Sequence, residues 1–339
     1  MLRDLVYNVR EYSKMEKYIS VIVPCYNAAA YLDRCINSLL NQTIGYKHLE
    51  MIFINDASTD NTLSLLLDYE KKYEDNIMVI NCEENGKQGT ARNIGLQYAT
   101  TNYISFLDSD DELHSDALKC MFDSMQKNSC DFVKCDYKQV YSGADKSNAL
   151  HAEEQHMDMS DIGIKRRYIL EHGWQTAVWG KLYSKDFLEQ HAIFFPQNIT
   201  MEDIYFSELC MLYATNITYI PIPYYYYYYN PNGTMFSDTM LSYYMDTPKV
   251  QNMIAERAIE EHMLEDCILE FEVLHFVKAC VEPLDRMLTD KRYYNEGNIK
   301  YIREKINIYF PNIAENPYLL QDKSPKVQHY LEIIREGNL

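Results

Sequence analysis

Apolar and polar positions along the chain fall into two regimes. Over the first 140 residues, short β-branched runs alternate with longer segments of helical period, the pattern of strand–helix–strand units laid down as a parallel sheet. The runs predict strands at Ile19–Val23, Met51–Ile54, Ile77–Ile80, Tyr103–Leu107 and Phe132–Cys135. Between them the periodicity predicts helices at Ala30–Leu40, Asn61–Tyr73, Thr90–Tyr98 and Ser115–Lys127, the last with Ser115 as its N-cap. Six consecutive tyrosines, Tyr224–Tyr229, predict a further strand with one face in the core, because aromatic side chains favour extended backbone. From about Ser237 the pattern lengthens into helices at Pro248–His262, Glu265–Val281, Asn298–Tyr309 and Pro325–Glu336, with a turn at Asp246-Thr247-Pro248. The expected organisation is an N-terminal extension over residues 1–17, an α/β unit over 18–235 with a mostly parallel central sheet flanked by helices, and a helical unit over 236–339.

In sheets of this kind ligands sit beyond the carboxyl ends of the strands, so the residues just after each predicted strand are the first candidates for chemistry. They are Pro24-Cys25-Tyr26-Asn27, Asn55-Asp56-Ala57-Ser58-Thr59-Asp60 and Asp108-Ser109-Asp110-Asp111. A fourth segment, Asn85 to Gly95, enters a helix, carries the cations Lys87 and Arg92, and has glycines suited to positive φ and close backbone approach. Asp108 and Asp110, two residues apart at the exit of an apolar run, can offer hard oxygens to Mg²⁺ or Mn²⁺ or accept from sugar hydroxyls. Standing alone, such a triplet is more often a solvated loop. Asp56 can accept from a pyrimidine N–H or a ribose hydroxyl, or join Ser58, Thr59 and Asp60 in capping a helix. Tyr26 can stack on a base with Asn27 bonding beside it, or the segment simply turns the chain. There is no G-x-x-x-x-G-K-[ST] and no G-x-G-x-x-G, which removes most of the case for P-loop hydrolysis and for hydride transfer.

Composition narrows the class further. A chain of 339 residues with 47% apolar and 24% charged residues can bury the core of two units. Its net charge of −18 argues against reading nucleic acid through phosphates and against lying on an anionic bilayer. Nine cysteines without a C-x-x-C pair indicate neither a disulfide framework nor a zinc knuckle, and the pairs His151/His156 and Cys130/Cys135 lack further ligands. No run approaches a membrane span and Met1–Lys17 is charged, so the expected location is cytoplasmic, with peripheral attachment at the inner face of a membrane as the alternative.

Four ordered motifs, Ser20-Val21-Ile22-Val23-Pro24-Cys25-Tyr26-Asn27, Asn55 to Asp60, Gly89-Thr90-Ala91-Arg92-Asn93-Ile94-Gly95 and Phe106-Leu107-Asp108-Ser109-Asp110-Asp111, resemble those of family 2 glycosyltransferases, nucleotide-sugar-dependent enzymes of the GT-A fold. More loosely, Val178-Trp179-Gly180-Lys181-Leu182-Tyr183 resembles the family's acceptor-side segment and Met201-Glu202-Asp203-Ile204-Tyr205-Phe206 its Glu-Asp motif. The resemblance, which covers roughly residues 18–235, implies a Rossmann-like GT-A unit followed here by helices. It implies a donor site at Pro24, Tyr26, Asn27, Asp56, Gly89, Arg92, Asn93, Asp108 and Ser109, and Mn²⁺ or Mg²⁺ at Asp110 and Asp108. Trp179, Lys181 and Glu202 would lie on the acceptor side and Asp203 would be the base, although read alone Asp203 is more readily a first-turn carboxylate complementing a helix dipole. The implied reaction is inverting transfer from a nucleoside diphosphate sugar, with UDP the expected nucleotide, to a hydroxyl of a glycan or glycoconjugate acceptor in cell-surface polysaccharide synthesis. The basic or histidine contact that some members carry near the end of the unit has no counterpart in Tyr228–Thr234. A non-catalytic carbohydrate-binding or scaffold protein on the same fold is the alternative. The apolar face formed by Ile268, Phe271, Leu274, Val277 and Cys280 is expected to pack on the α/β unit or on a second copy in a homo-oligomer.

Overall fold

A computed structural model describes residues 16–141, 152–173, 175–230 and 239–336. The chain begins with β1 (Ile19–Cys25), α1 (Leu32–Leu40), β2 (Leu49–Asn55), α2 (Thr62–Lys72), β3 (Ile77–Asn81), α3 (Lys87–Tyr98) and β4 (Tyr103–Phe106). It continues through β5 (Glu112–Leu113), α4 (Ala117–Asn128), β6 (Phe132–Val140), β7 (Gln155–Asp158), α5 (Ile162–His172), β8 (Lys181–Ser184), α6 (Lys185–Gln190), α7 (Glu202–Tyr213) and β9 (Asn216–Tyr228). Helices complete it: α8 (Thr239–Glu260), α9 (Ile268–His275), a π turn at Phe276–Val281, α10 (Glu282–Thr289), α11 (Glu296–Tyr309), α12 (Pro317–Gln321) and α13 (Pro325–Arg335). Residues 1–15 of the expected N-terminal extension lie outside the described residues, as do Pro231–Thr234, His151 and Ser237.

The strands form one sheet in the order β3-β2-β1-β4-β8-β6-β9-β5, with β7 also paired to β9. The first four are parallel, and every residue of β1 and β2 is buried, as near-continuous apolar strands covered on both faces should be. Beyond β4 the sheet becomes mixed, because β8 runs antiparallel to both β4 and β6 while β6 and β9 are parallel. Tyr224–Tyr228 of the tyrosine run form the end of β9, a strand of 13 residues, and Tyr229 follows it. Its register against β6 slips between Cys135 and Tyr137, opposite Pro221 and Pro223, since proline has no N–H for the ladder.

Two expectations are corrected. Ser115 does not cap α4: its carbonyl accepts from Thr43 N (2.8 Å), and the first-turn N–H of Leu118 is met by Gln42 Oε1 (3.0 Å) from the end of α1. Nor is there a turn at Asp246-Thr247-Pro248, for α8 continues through Pro248. Asp246 instead accepts from Thr200 N (3.1 Å) and Oγ1 (2.6 Å), which ties the helix to the loop before α7.

One buried cluster runs from Ile22 and Phe106 through Phe206 on α7 to Phe271, Phe310 and Leu331 in the helices, so Phe271, Leu274 and Cys280 are covered within this chain. The π turn within the expected Glu265–Val281 helix carries Lys278, whose Nζ reaches Glu208 Oε1 (2.7 Å) on α7 and the carbonyl of Gly173 (2.7 Å). Gln251 of α8 donates to the same Glu208 oxygen (2.7 Å). Removing one partner of a buried ion pair leaves an uncompensated charge, so Lys278→Met should lower unfolding free energy by about 3–5 kcal/mol in urea denaturation; a change below about 1 kcal/mol would show that the pair does not hold the helices to α7.

Candidate functional site

At the carboxyl edge of the parallel strands the loops after β1 and β2 are knitted together. The Asn27 N–H donates to Ser58 Oγ (3.0 Å) and Asn27 Oδ1 accepts from Thr59 N (2.8 Å), which commits the Asn27 side-chain oxygen to the protein itself. Tyr26 beside it is 53% exposed, so its ring face is open for stacking. Asp60, not Asp56, serves the start of α2, accepting at Oδ1 from Thr62 N (3.0 Å) and Oγ1 (2.5 Å). Asp56 is buried, and its Oδ1 accepts from Gly86 N (2.8 Å) at the N-terminus of α3. Burial raises its carboxyl above the usual range, against the lowering by the Gly86 and Lys87 amides. The positive φ in this turn falls on Lys87 (65°) rather than on a glycine; Gly89 supplies close approach instead.

Helix α3 joins that edge to α7 through Arg92, which is 2% exposed. Nη2 donates to Asp108 Oδ1 (2.9 Å) and Nη1 to Glu202 Oε1 (2.8 Å). Two turns of backbone make this reach possible. A Cβ on Gly89 would stand 2.8 Å from Glu202 Cγ and 3.2 Å from the Pro196 carbonyl, and Asn93 holds Phe195 by both its N–H (2.9 Å) and its carbonyl (2.7 Å). Arg92 and Asn93 thus order the site from behind, through the chain's own groups. Met201 enters α7 in the left-handed region (φ 65°), placing Glu202 and Asp203 in the first turn. Asp203 accepts from Ile204 N (3.0 Å). Burial first, then the charge of Glu202, pushes its carboxyl up to about 7, with Arg92 opposing and Asp108 adding to the rise.

Beyond β4, Asp108 and Asp110 share a crowded acidic turn. Asp110 Oδ2 accepts from Asn230 Nδ2 (2.9 Å), and Arg34 of α1 donates to the Asp110 carbonyl while its guanidinium lies 3.5 Å over the Tyr228 ring. Burial and then the Asp108 charge raise the Asp110 carboxyl above its ordinary range. Asp111 is fully buried, accepts from Tyr225 OH (2.6 Å) and Tyr228 N (2.7 Å), and is pushed by burial, and then by the charges of Asp108 and Asp110, up to about 9. Ser109 is buried against the Cys25 thiol. Asp111 closes the predicted strand-end cluster without a role of its own, and Arg34 and Asn230 are not among the predicted site residues. Arg34 carries no motif signal, whereas Asn230 sits in the segment that was inspected for a basic contact. Among the described residues no group of three His, Cys, Asp or Glu side chains is placed to hold a metal. Asp108 and Asp110 fit a divalent ion in a narrower sense: one oxygen of each is engaged, their charges repel, and the rest of a Mg²⁺ or Mn²⁺ shell can come from diphosphate and water.

Trp179, predicted for the acceptor side, stacks on Tyr225 at a ring distance of 4.2 Å. Lys181 lies buried beneath α7 with Nζ 3.5 Å from Ser207 Oγ, and burial pushes its ammonium down to about 8. A cavity of about 420 Å³, lined by Tyr103, Asp131, Phe187, His191 and Tyr213 among others, lies at the opposite end of β4 and contains none of the predicted site residues. No described helix is long and apolar enough to cross a membrane.

A parallel half-sheet with carboxylates along its carboxyl edge, completed by a mixed half and a following helical region, is the architecture of GT-A glycosyltransferases. The chain belongs to glycosyl transferase family 2, whose model matches residues 20–190. It is 30% identical over 201 residues to the poly(ribitol-phosphate) beta-glucosyltransferase of Bacillus spizizenii, covering 59% of this chain and 30% of that protein. To the putative teichuronic acid biosynthesis glycosyltransferase TuaG of Bacillus subtilis it is 38% identical over 137 residues, 40% of this chain and 53% of that one, so it spans about a third to a half of these relatives. Residues 1–349 of S. aureus TarS, in complex with UDP-GlcNAc, share the fold with TM-score 0.73 and 23% identity over 94% of this chain and 92% of that one. The mannosyltransferase PcManGT of Pyrobaculum calidifontis, in complex with GDP-Man and Mn²⁺, does so with TM-score 0.56 and 15% identity over 96% and 87%.

The close approach of α3 to α7 yields a stability test. Gly89→Ala forces a methyl group against Glu202 and the Pro196 carbonyl, and should lower unfolding free energy by about 1–3 kcal/mol in chemical denaturation; an unchanged or raised value would mean that the contact yields without strain.

Proposed function

We propose that the chain is a metal-dependent inverting glycosyltransferase that moves a sugar from a nucleoside diphosphate donor, UDP by preference, to an acceptor hydroxyl of a surface polysaccharide. The observation that carries this reading is the convergence of Asp56, Asp108, Asp110 and Asp203 on one sheet edge, linked through α3 and Arg92. Tyr26 stacks on the base and Asp56 accepts from its ring N–H. Asp108 and Asp110 would hold a divalent ion, which would supply Lewis-acid stabilisation of the departing diphosphate. Asp203 takes the proton of the acceptor hydroxyl as that oxygen attacks the anomeric carbon from the opposite face, which inverts configuration. A base raised to about 7 is matched to this task, since it ionises near working pH yet keeps proton affinity. The naming of relatives for glucosylation of poly(ribitol-phosphate) and for teichuronic acid biosynthesis supports a polymer acceptor.

Because the base works ionised, kcat/KM for transfer should rise with pH through about 7 and flatten above it, and an acid limb near 4 would instead mark an unperturbed carboxylate. Asp203→Asn should lower kcat by about 10²- to 10⁴-fold in a UDP-sugar panel with Mn²⁺ while UDP affinity stays within a few-fold. Full turnover by that variant would remove Asp203 from the mechanism, and failure of UDP to raise the thermal midpoint of the wild type would remove the donor site.

A further inference from the structure

Past the carboxylate edge runs a row of aromatic side chains that donor binding does not use. Strand alternation turns Tyr137 and Gln139 of β6, and Tyr141 just beyond it, to one side, with Tyr137 58% and Tyr141 71% exposed. In the neighbouring parallel strand Tyr225 lies opposite Tyr137 and Tyr227 opposite Gln139. Trp179 lies over this pair, stacked on Tyr225 (4.2 Å, 15°) and Tyr227 (5.7 Å, 21°) and edge-on to Tyr137 (5.1 Å). Gly180 follows in the left-handed region (φ 66°), and the nearest atoms to an added Cβ are at an ordinary 3.6 Å, so this glycine shapes the turn that sets Trp179 rather than clearing space. Tyr141 and Tyr229, with ring centroids 6.0 Å apart, carry the row outward. Its inner end is anchored at the acidic turn by the bond from Tyr225 OH to Asp111.

We propose that this row is an acceptor track on which successive rings of an oligosaccharide stack, so that the chain modifies or extends a glycan of several units rather than a free monosaccharide. The proposal rests on the glycosyltransferase reading above and specifies the acceptor for it. The four-residue step from Tyr137 to Tyr141 spans about 13 Å of extended backbone, room for roughly two or three linked sugar rings. Aromatic faces flanked by phenol hydroxyls and the Gln139 amide suit a ligand with C–H faces and a hydroxyl rim. The other ligand that stacks along such a platform, single-stranded nucleic acid, needs a basic groove. No residue of this row is cationic, and the row begins beside three aspartates in a chain of net charge −18.

Calorimetric titration of the whole chain with cello- and chito-oligosaccharides of one to five rings tests the track, with UDP titrated separately into the same protein to read the donor site. Affinity for at least one series should rise tenfold or more from one ring to three and level off by five. Tyr137→Ala and Tyr141→Ala should each weaken trimer binding about three- to tenfold, and Tyr141→Phe should retain it, because the ring face and not the hydroxyl does the stacking. Absence of binding by every oligomer, affinity independent of length, or alanine variants that bind as the wild type does would each overturn the track. If UDP fails to bind while the length dependence holds, the donor reading falls and the carbohydrate track stands; the reverse pattern removes the track alone.

Discussion

A single buried guanidinium organises this molecule. Arg92 joins the turn after β4 to the first turn of α7 by charge-assisted bonds to Asp108 and Glu202, groups 16 and 110 residues away from it along the chain. Removing it would strand two carboxylates with little solvent to receive them, which is why the helix can be held so close to the sheet edge. The neighbouring residues on α3 serve the same approach: Gly89 allows Glu202 to lie against the helix, and Asn93 fixes the backbone of Phe195 on the way into α7. Asp203 follows Glu202 into that first turn, where burial and the Glu202 charge raise its proton affinity against the opposing pull of Arg92.

Helix α7 is gripped at a second place by the helices that follow the sheet. One turn and a half after Asp203, Glu208 receives Lys278 from the π turn and Gln251 from α8, inside the same buried cluster that contains Phe206. The helical region therefore bears on the geometry of the first turn of α7, even though it contributes no candidate catalytic group. Around the cleft, negative charge accumulates with few cations to offset it. Burial and these charges raise the proton affinity of Asp111, and burial with the charge of Asp108 raises that of Asp110. An acidic edge of this kind gains most from a ligand that brings a divalent cation with its phosphates.

Much of the fold was legible because parallel strands buried on both faces leave unbroken β-branched runs, as in β1 and β2, and because aromatic runs such as that of β9 resist helix. Strand-end motifs gave the candidate site, since topology fixes which edge they share. What could not be read depended on contacts between distant segments. Gln42 replaces Ser115 at the start of α4, the clasp of Asp246 on Thr200 accompanies a helix that runs on through Pro248, and the mixed half of the sheet follows from pairing choices that no local pattern records. In the same way Arg34 reaches Asp110 from α1, and the carboxamides of Asn27 and Asn93 turn out to bind the protein's own backbone.

The most direct test is a crystal structure of the chain grown with UDP and Mn²⁺. The nucleotide should lie along the carboxyl edge of β1, β2 and β4, its base between Tyr26 and Asp56, its diphosphate and the ion before Asp108 and Asp110, with Asp203 facing the vacant sugar position. A nucleotide seated elsewhere, for example in the cavity at the opposite end of β4, or an ion that leaves Asp110 untouched, would contradict the account.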